Sequence, residues 1–217
     1  MPYRDKARWG VLERWSATAF AAAGVLYLAT AALFGVETLM NSSYPGWVTG
    51  IFGLSALIAS FIGLGGLYPR LVEQVPRLAR TGITTIVIAG IALIAFPLCL
   101  FAKTSGVDLH SLPIIVFVIA MVSIIGGFSL FGIATLRAQV PSRTVGLLIL
   151  ATVVTFIVLF VGDMVFNGSP EWLDFAMSGI QALFLLAIGY ILPSSILPSE
   201  SNESQIATIS GRNTKQD

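Results

Sequence analysis

Apolar residues run through this chain in long unbroken blocks, and the charged residues between the blocks set the pattern. Uncharged stretches lie between Arg14 and Glu37, Glu37 and Arg70, Arg80 and Lys103, Asp108 and Arg137, Arg143 and Asp163, and Asp174 and Glu200. They are 19 to 32 residues long. A helix needs about 20 mostly apolar residues to cross a hydrocarbon core of about 30 Å. Barrel strands would alternate apolar and polar positions over about 10 residues, and these blocks do not alternate. The pattern predicts an all-α integral membrane protein, a six-transmembrane-helix bundle. Its spans fall at about 15–36, 46–68, 81–102, 113–136, 144–166 and 171–192.

Punctuation sharpens these ends. Pro45, Pro113 and Pro170 stand at the starts of the second, fourth and sixth spans, where the missing proline N–H has no helical partner to lose. Ser169-Pro170-Glu171 reads as a helix start with serine as N-cap. Pro69 and Pro193 are expected to close the second and sixth spans, and Pro97 to kink the third. Trp15, Trp47, Tyr68, Trp172 and Tyr190 fall near span ends, where amphipathic rings favour the interface. The connecting loops are expected to be short, about 7 to 12 residues, with no room for a soluble domain. Residues 1–192 then form one membrane domain. The polar stretch 193–217 is expected to be a disordered cytoplasmic tail. The first 14 residues suit a short interfacial helix. The first apolar run is longer than the 7–15 residues of a signal-peptide core, so it is expected to remain as a span.

Composition agrees with a lipid-facing surface. The chain is 56% hydrophobic and 11% charged, where soluble domains carry about 25% charged residues. Charge placement adds an orientation. Arg4, Lys6, Arg8, Arg14, Arg70, Arg77, Arg80, Arg137, Arg143, Arg212 and Lys215 fall on one side of the six spans, and Lys103 alone on the other. Basic residues accumulate on the cytoplasmic side, which places both termini in the cytoplasm of a cell-membrane protein. Glu37, Asp108, Asp163, Glu171 and Asp174 gather on the opposite, outer side.

Little in the sequence suggests chemistry. One cysteine, Cys99, rules out a disulfide within the chain or a CxxC site, and one histidine, His110, rules out bis-histidine haem and a His-rich zinc site. No catalytic, cofactor-binding or metal residues are assigned, and no cofactor is expected. Ionisable groups within a membrane are the default functional candidates, because they are costly there. Asp163 lies about one turn inside the outer end of the fifth span, and Asp174 opens the sixth. Asp174, Ser178 and Gln181 are spaced four and three apart and share one helix face, with Gln181 near mid-membrane. Thr152 and Thr155 fall on roughly the same face as Asp163, and Thr30 and Glu37 form a shorter stripe on the first span. Glu37, Asp163, Asp174, Ser178 and Gln181 are therefore the candidate polar cavity. The plainer reading is interhelical hydrogen bonding plus acids that reach water. Gly46-x-x-x-Gly50 matches a close-packing motif, and glycines at 46, 50, 53, 63, 65 and 66 are expected to pack helices. Asn41-Ser42-Ser43 and Asn167-Gly168-Ser169 are sequons too close to the membrane for reliable modification.

Gly63-Leu64-Gly65-Gly66-Leu67-Tyr68-Pro69-Arg70-Leu71, followed by Val75-Pro76-Arg77-Leu78-Ala79-Arg80, resembles small multi-pass membrane proteins of haloarchaeal type. The resemblance covers the second span and the loop after it. It implies an archaeal membrane location and no particular activity. The loops and tail here lack the strong acidity of a halophile.

These readings favour a non-catalytic accessory or structural membrane component. The alternative is a small transporter or channel subunit that uses the outer acids to attract a cation or proton. The expected partner is the lipid bilayer, with room for self-association or another membrane protein, and no nucleic acid.

Overall fold

The computed structural model describes residues 3–40, 45–105, 111–139, 142–166 and 170–194. Among the described residues six helices follow one another: α1 (Tyr3–Met40), α2 (Gly46–Gln74), α3 (Pro76–Thr104), α4 (Leu112–Ala138), α5 (Arg143–Phe166) and α6 (Glu171–Ser194). Each contains a stretch long and apolar enough to cross a membrane. The chain is an all-α, multi-pass membrane bundle. Consecutive helices pack side by side, and α6 returns against α1 to close the ring. One end of the bundle carries Glu37, Asp163, Glu171 and Asp174 and is called here the acidic end. The basic end carries Arg70, Arg77, Arg80, Arg137 and Arg143.

The helices outrun the spans expected from the sequence. Neither Pro69 nor Pro193 ends its helix, since both lie inside, and α6 reaches Ser194. Proline costs one backbone hydrogen bond and crowds the carbonyl four residues earlier. At Pro69 that earlier residue is Gly65, whose backbone has the most freedom to adjust. The expected loop between the second and third spans shrinks to Val75 alone. Pro76 disfavours helical backbone at the residue before it. Val75 accordingly leaves the helix at φ −133° and ψ 63°. Its N–H still donates to the Leu71 carbonyl, and its own carbonyl accepts from Ala79 N–H. The interfacial stretch before Trp15 continues α1 without a break. The polar tail beyond Ser194, His110, Asp108, Ser169 and both sequon asparagines lie outside the described residues.

The core draws on all six helices. Phe128 is 1% exposed and stands with its ring 5.5 Å from Phe156 on α5 and 6.2 Å from Phe61 on α2. Phe20, Leu64, Ile124, Phe131 and Ile149 belong to the same core, all fully buried. By contrast α3 is peripheral: 17% of its span is buried, against 44% for α5. Its Ile88, Ile91, Ile94 and Leu98 point outward, as a face against lipid requires.

Toward the basic end, α1 and α6 approach backbone to backbone. A Cβ built on Gly189 would stand 2.9 Å from Ala21 N and 3.0 Å from Ala17 O. One on Gly24 would stand 2.6 Å from Leu186 Cγ and 3.0 Å from Ala182 O. Small residues permit this approach in a membrane, where dispersion contacts replace the hydrophobic effect between helices. The glycines at 46, 50 and 53 do not serve this purpose. A Cβ on any of them would meet nothing within 4 Å.

Candidate functional site

Several grooves mark the bundle surface. The larger ones, about 450 Å³ beside Val161 and Trp172 and about 430 Å³ beside Ile58 and Leu93, are lined by apolar residues and glycine or proline. They resemble the lipid-facing furrows of any helical bundle. A crevice of about 280 Å³ differs in kind, because polar side chains from three helices meet in it.

Five helices build this crevice at the acidic end. Tyr27 comes from α1, Gly53 from α2, Phe117 and Met121 from α4, Phe156, Leu159, Phe160 and Asp163 from α5, and Asp174 and Gln181 from α6. The 3.6-residue period explains the polar ladder. Asp174 and Gln181 are seven apart, two turns along one face of α6. Phe156, Phe160 and Asp163 climb one face of α5 in the same manner. Gly53 leaves the side toward α2 open.

Depth orders the groups. Asp163 is exposed and Asp174 half-buried near the mouth. Gln181 is 1% exposed and Tyr27 7%, at the base. Phe156 closes the floor and rests edge-on against Phe128. The Tyr27 phenol lies within hydrogen-bonding reach of the Gln181 carboxamide across the α1–α6 pair. Neither Nε2 nor Oε1 of Gln181 has a hydrogen-bond partner at full geometry among the described residues. Buried polar atoms are normally satisfied, and an orphaned one costs about 1–3 kcal/mol.

The sequence-predicted cavity is gathered in part. Asp163, Asp174 and Gln181 line the crevice, and Ser178 and Glu37 are not among its lining residues. Ser178 is buried at 6% exposure within the bundle, and Glu37 is half-buried on α1. The expected interhelical hydrogen bonding also differs. Thr30, Thr152 and Thr155 turn their hydroxyls to carbonyls of their own helices, Leu26, Leu148 and Thr152. Such back-bonding satisfies a Thr hydroxyl within its own helix. Ser16 does cross, donating to the Gly63 carbonyl of α2 at 2.7 Å. Tyr27 was not among the expected residues. It lies three residues before Thr30, so the stripe through Thr30 and Glu37 stops one turn short of it.

Among the described residues, no group of three or more His, Cys, Asp or Glu could hold a metal ion. The arrangement offers a neutral donor–acceptor pair at the base, aromatic and thioether walls, and negative charge at the mouth. No family model matches the chain, and no curated protein or solved structure matches it either.

Proposed function

We propose that this chain is a non-catalytic, multi-pass component of the cell membrane, an accessory or structural subunit with both termini in the cytoplasm. The packed basic half of the bundle carries this reading. Below Phe156, the side chains of Phe128, Ile124, Leu64, Phe20 and Ile149 are fully buried and fill the interior. The buried hydroxyls at that level are committed to backbone carbonyls: Ser60 to Ala56, Thr135 to Phe131, and Ser16 to Gly63. A conduit for a cation or proton needs polar groups or water along its whole length. Here the polar ladder stops at Gln181. The eleven-to-one distribution of basic residues supports the orientation, with the acidic end outside.

The test is flux. Purified protein in sealed vesicles, with a K⁺ or pH gradient imposed, is expected to leak no faster than protein-free vesicles. Flux that scales with protein content and falls in Asp163→Asn would overturn the accessory reading in favour of transport. A C-terminal tag cleaved by protease only in inside-out vesicles would match the proposed orientation, and cleavage only in right-side-out vesicles would contradict it.

A further inference from the structure

We infer that the acidic-end crevice is a binding site for a small, ring-bearing, lipid-soluble molecule that presents a carbonyl or hydroxyl group to Gln181. This goes beyond the accessory role and does not depend on it.

Gln181 is buried, lines the crevice, and makes no hydrogen bond at full geometry among the described residues, with the Tyr27 phenol near enough to meet one of its amide atoms and leave the other open. A purely structural glutamine at this depth would be expected to find a neighbouring carbonyl or hydroxyl, as Ser16 does on Gly63. A ligand oxygen beside the Tyr27 phenol, admitted by a rotation of the Gln181 side chain, would complete the bonding of the amide. The neutral base selects a neutral polar group, since a carboxylate or ammonium there would be desolvated without a counter-charge. The walls select the rest of the molecule. Phe117, Phe156 and Phe160 offer ring faces and edges, which favour offset or edge-on contact with another ring. Met121 adds an adaptable thioether. The volume, about 280 Å³, stands near the lower end of small-ligand pockets. It suits a compact two-ring molecule rather than a whole lipid. An acyl chain would fill the space yet leave the amide unsatisfied. Water is the simplest competitor for this place, since a stable buried water needs two to four polar partners and Tyr27 and Gln181 could supply two, so the test must separate water from ligand.

Benzophenone, two phenyl rings joined by one carbonyl, fits this description and reports its own position. Illumination couples it to nearby C–H bonds, with methionine favoured. Full-length protein in lipid vesicles would be photolabelled and the adducts mapped by mass spectrometry. Saturable labelling at Met121 is expected. Gly53→Leu fills the crevice from a position with open space around it, so the variant should unfold at the wild-type temperature and lose labelling at least ten-fold. Diphenylmethanol should compete at roughly one-tenth the bilayer concentration that diphenylmethane needs, and Gln181→Leu should erase that difference. Adducts spread over lipid-facing residues and unchanged in Gly53→Leu would overturn the site. Equal competition by the two compounds in the wild type would overturn the role of Gln181. Failure to label Met121, with a charged thiol reagent reaching Gln181→Cys, would identify a water-filled crevice and overturn the ligand class.

Discussion

Between Ala17 and Gly24, α1 lies backbone to backbone against α6, and a single added methyl at Gly24 or Gly189 has no space. One turn further along, the same two helices carry Tyr27 and Gln181, and a crevice opens beside them. The helix pair and the lipid are the same in both stretches, and only the side chains differ. Small residues let dispersion contacts close the seam without any polar group. Larger polar side chains border a void, and the Gln181 amide is left without a hydrogen bond at full geometry among the described residues. The sealed stretch uses its residues for stability. The open stretch keeps a cost that packing alone does not explain.

Substitutions can break or sharpen this contrast. The largest effect is expected at the boundary. Phe128→Ala removes the ring that joins α2, α4 and α5 beneath the crevice floor, and should cost about 3–5 kcal/mol in equilibrium unfolding within bilayer-like detergent. Gly189→Ala places a methyl against two α1 backbone atoms and should cost about 1–3 kcal/mol in the same assay. Gln181→Leu should act in the opposite direction, raising stability by about 1 kcal/mol as two orphaned polar atoms disappear. A clear loss instead would mean that the amide is satisfied, and the contrast between the two stretches would fail. Ser16→Ala loses one interhelical hydrogen bond and should cost about 0.6 kcal/mol. Gly50→Ala, on the face with open space, should fall within about 0.5 kcal/mol of wild type.

The existence and number of the helices were legible because the membrane writes them as runs free of charge. Their ends were less so. Arg70, Glu73, Arg77 and Arg80 bound the charge-free runs, and the helical backbone continues past Arg70 and Glu73 to Gln74 and resumes at Pro76. Charge reports the local solvent, and only the Val75-Pro76 step reports the break. At the site, the spacing of Asp174 and Gln181 was enough to place both on one face of α6. Tyr27 was not legible, because a tyrosine in an apolar run looks like any span aromatic until the antiparallel register of α1 and α6 sets it opposite Gln181. Gly46-x-x-x-Gly50 misled in the other direction. A small-residue motif says that two helices can approach closely, and no neighbour comes close there.

The crevice is polar at its mouth, dry at its base and blind, ending at Gln181 above a packed half-bundle. Single cysteines at Asp163, Thr155, Ser178 and Gln181, in a chain lacking Cys99, test it with a charged, membrane-impermeant thiol reagent. The account predicts rapid labelling at position 163 and none at 155, 178 or 181 from either side of the membrane. Rapid labelling at 181 or 155 would show water reaching mid-bundle and would contradict it.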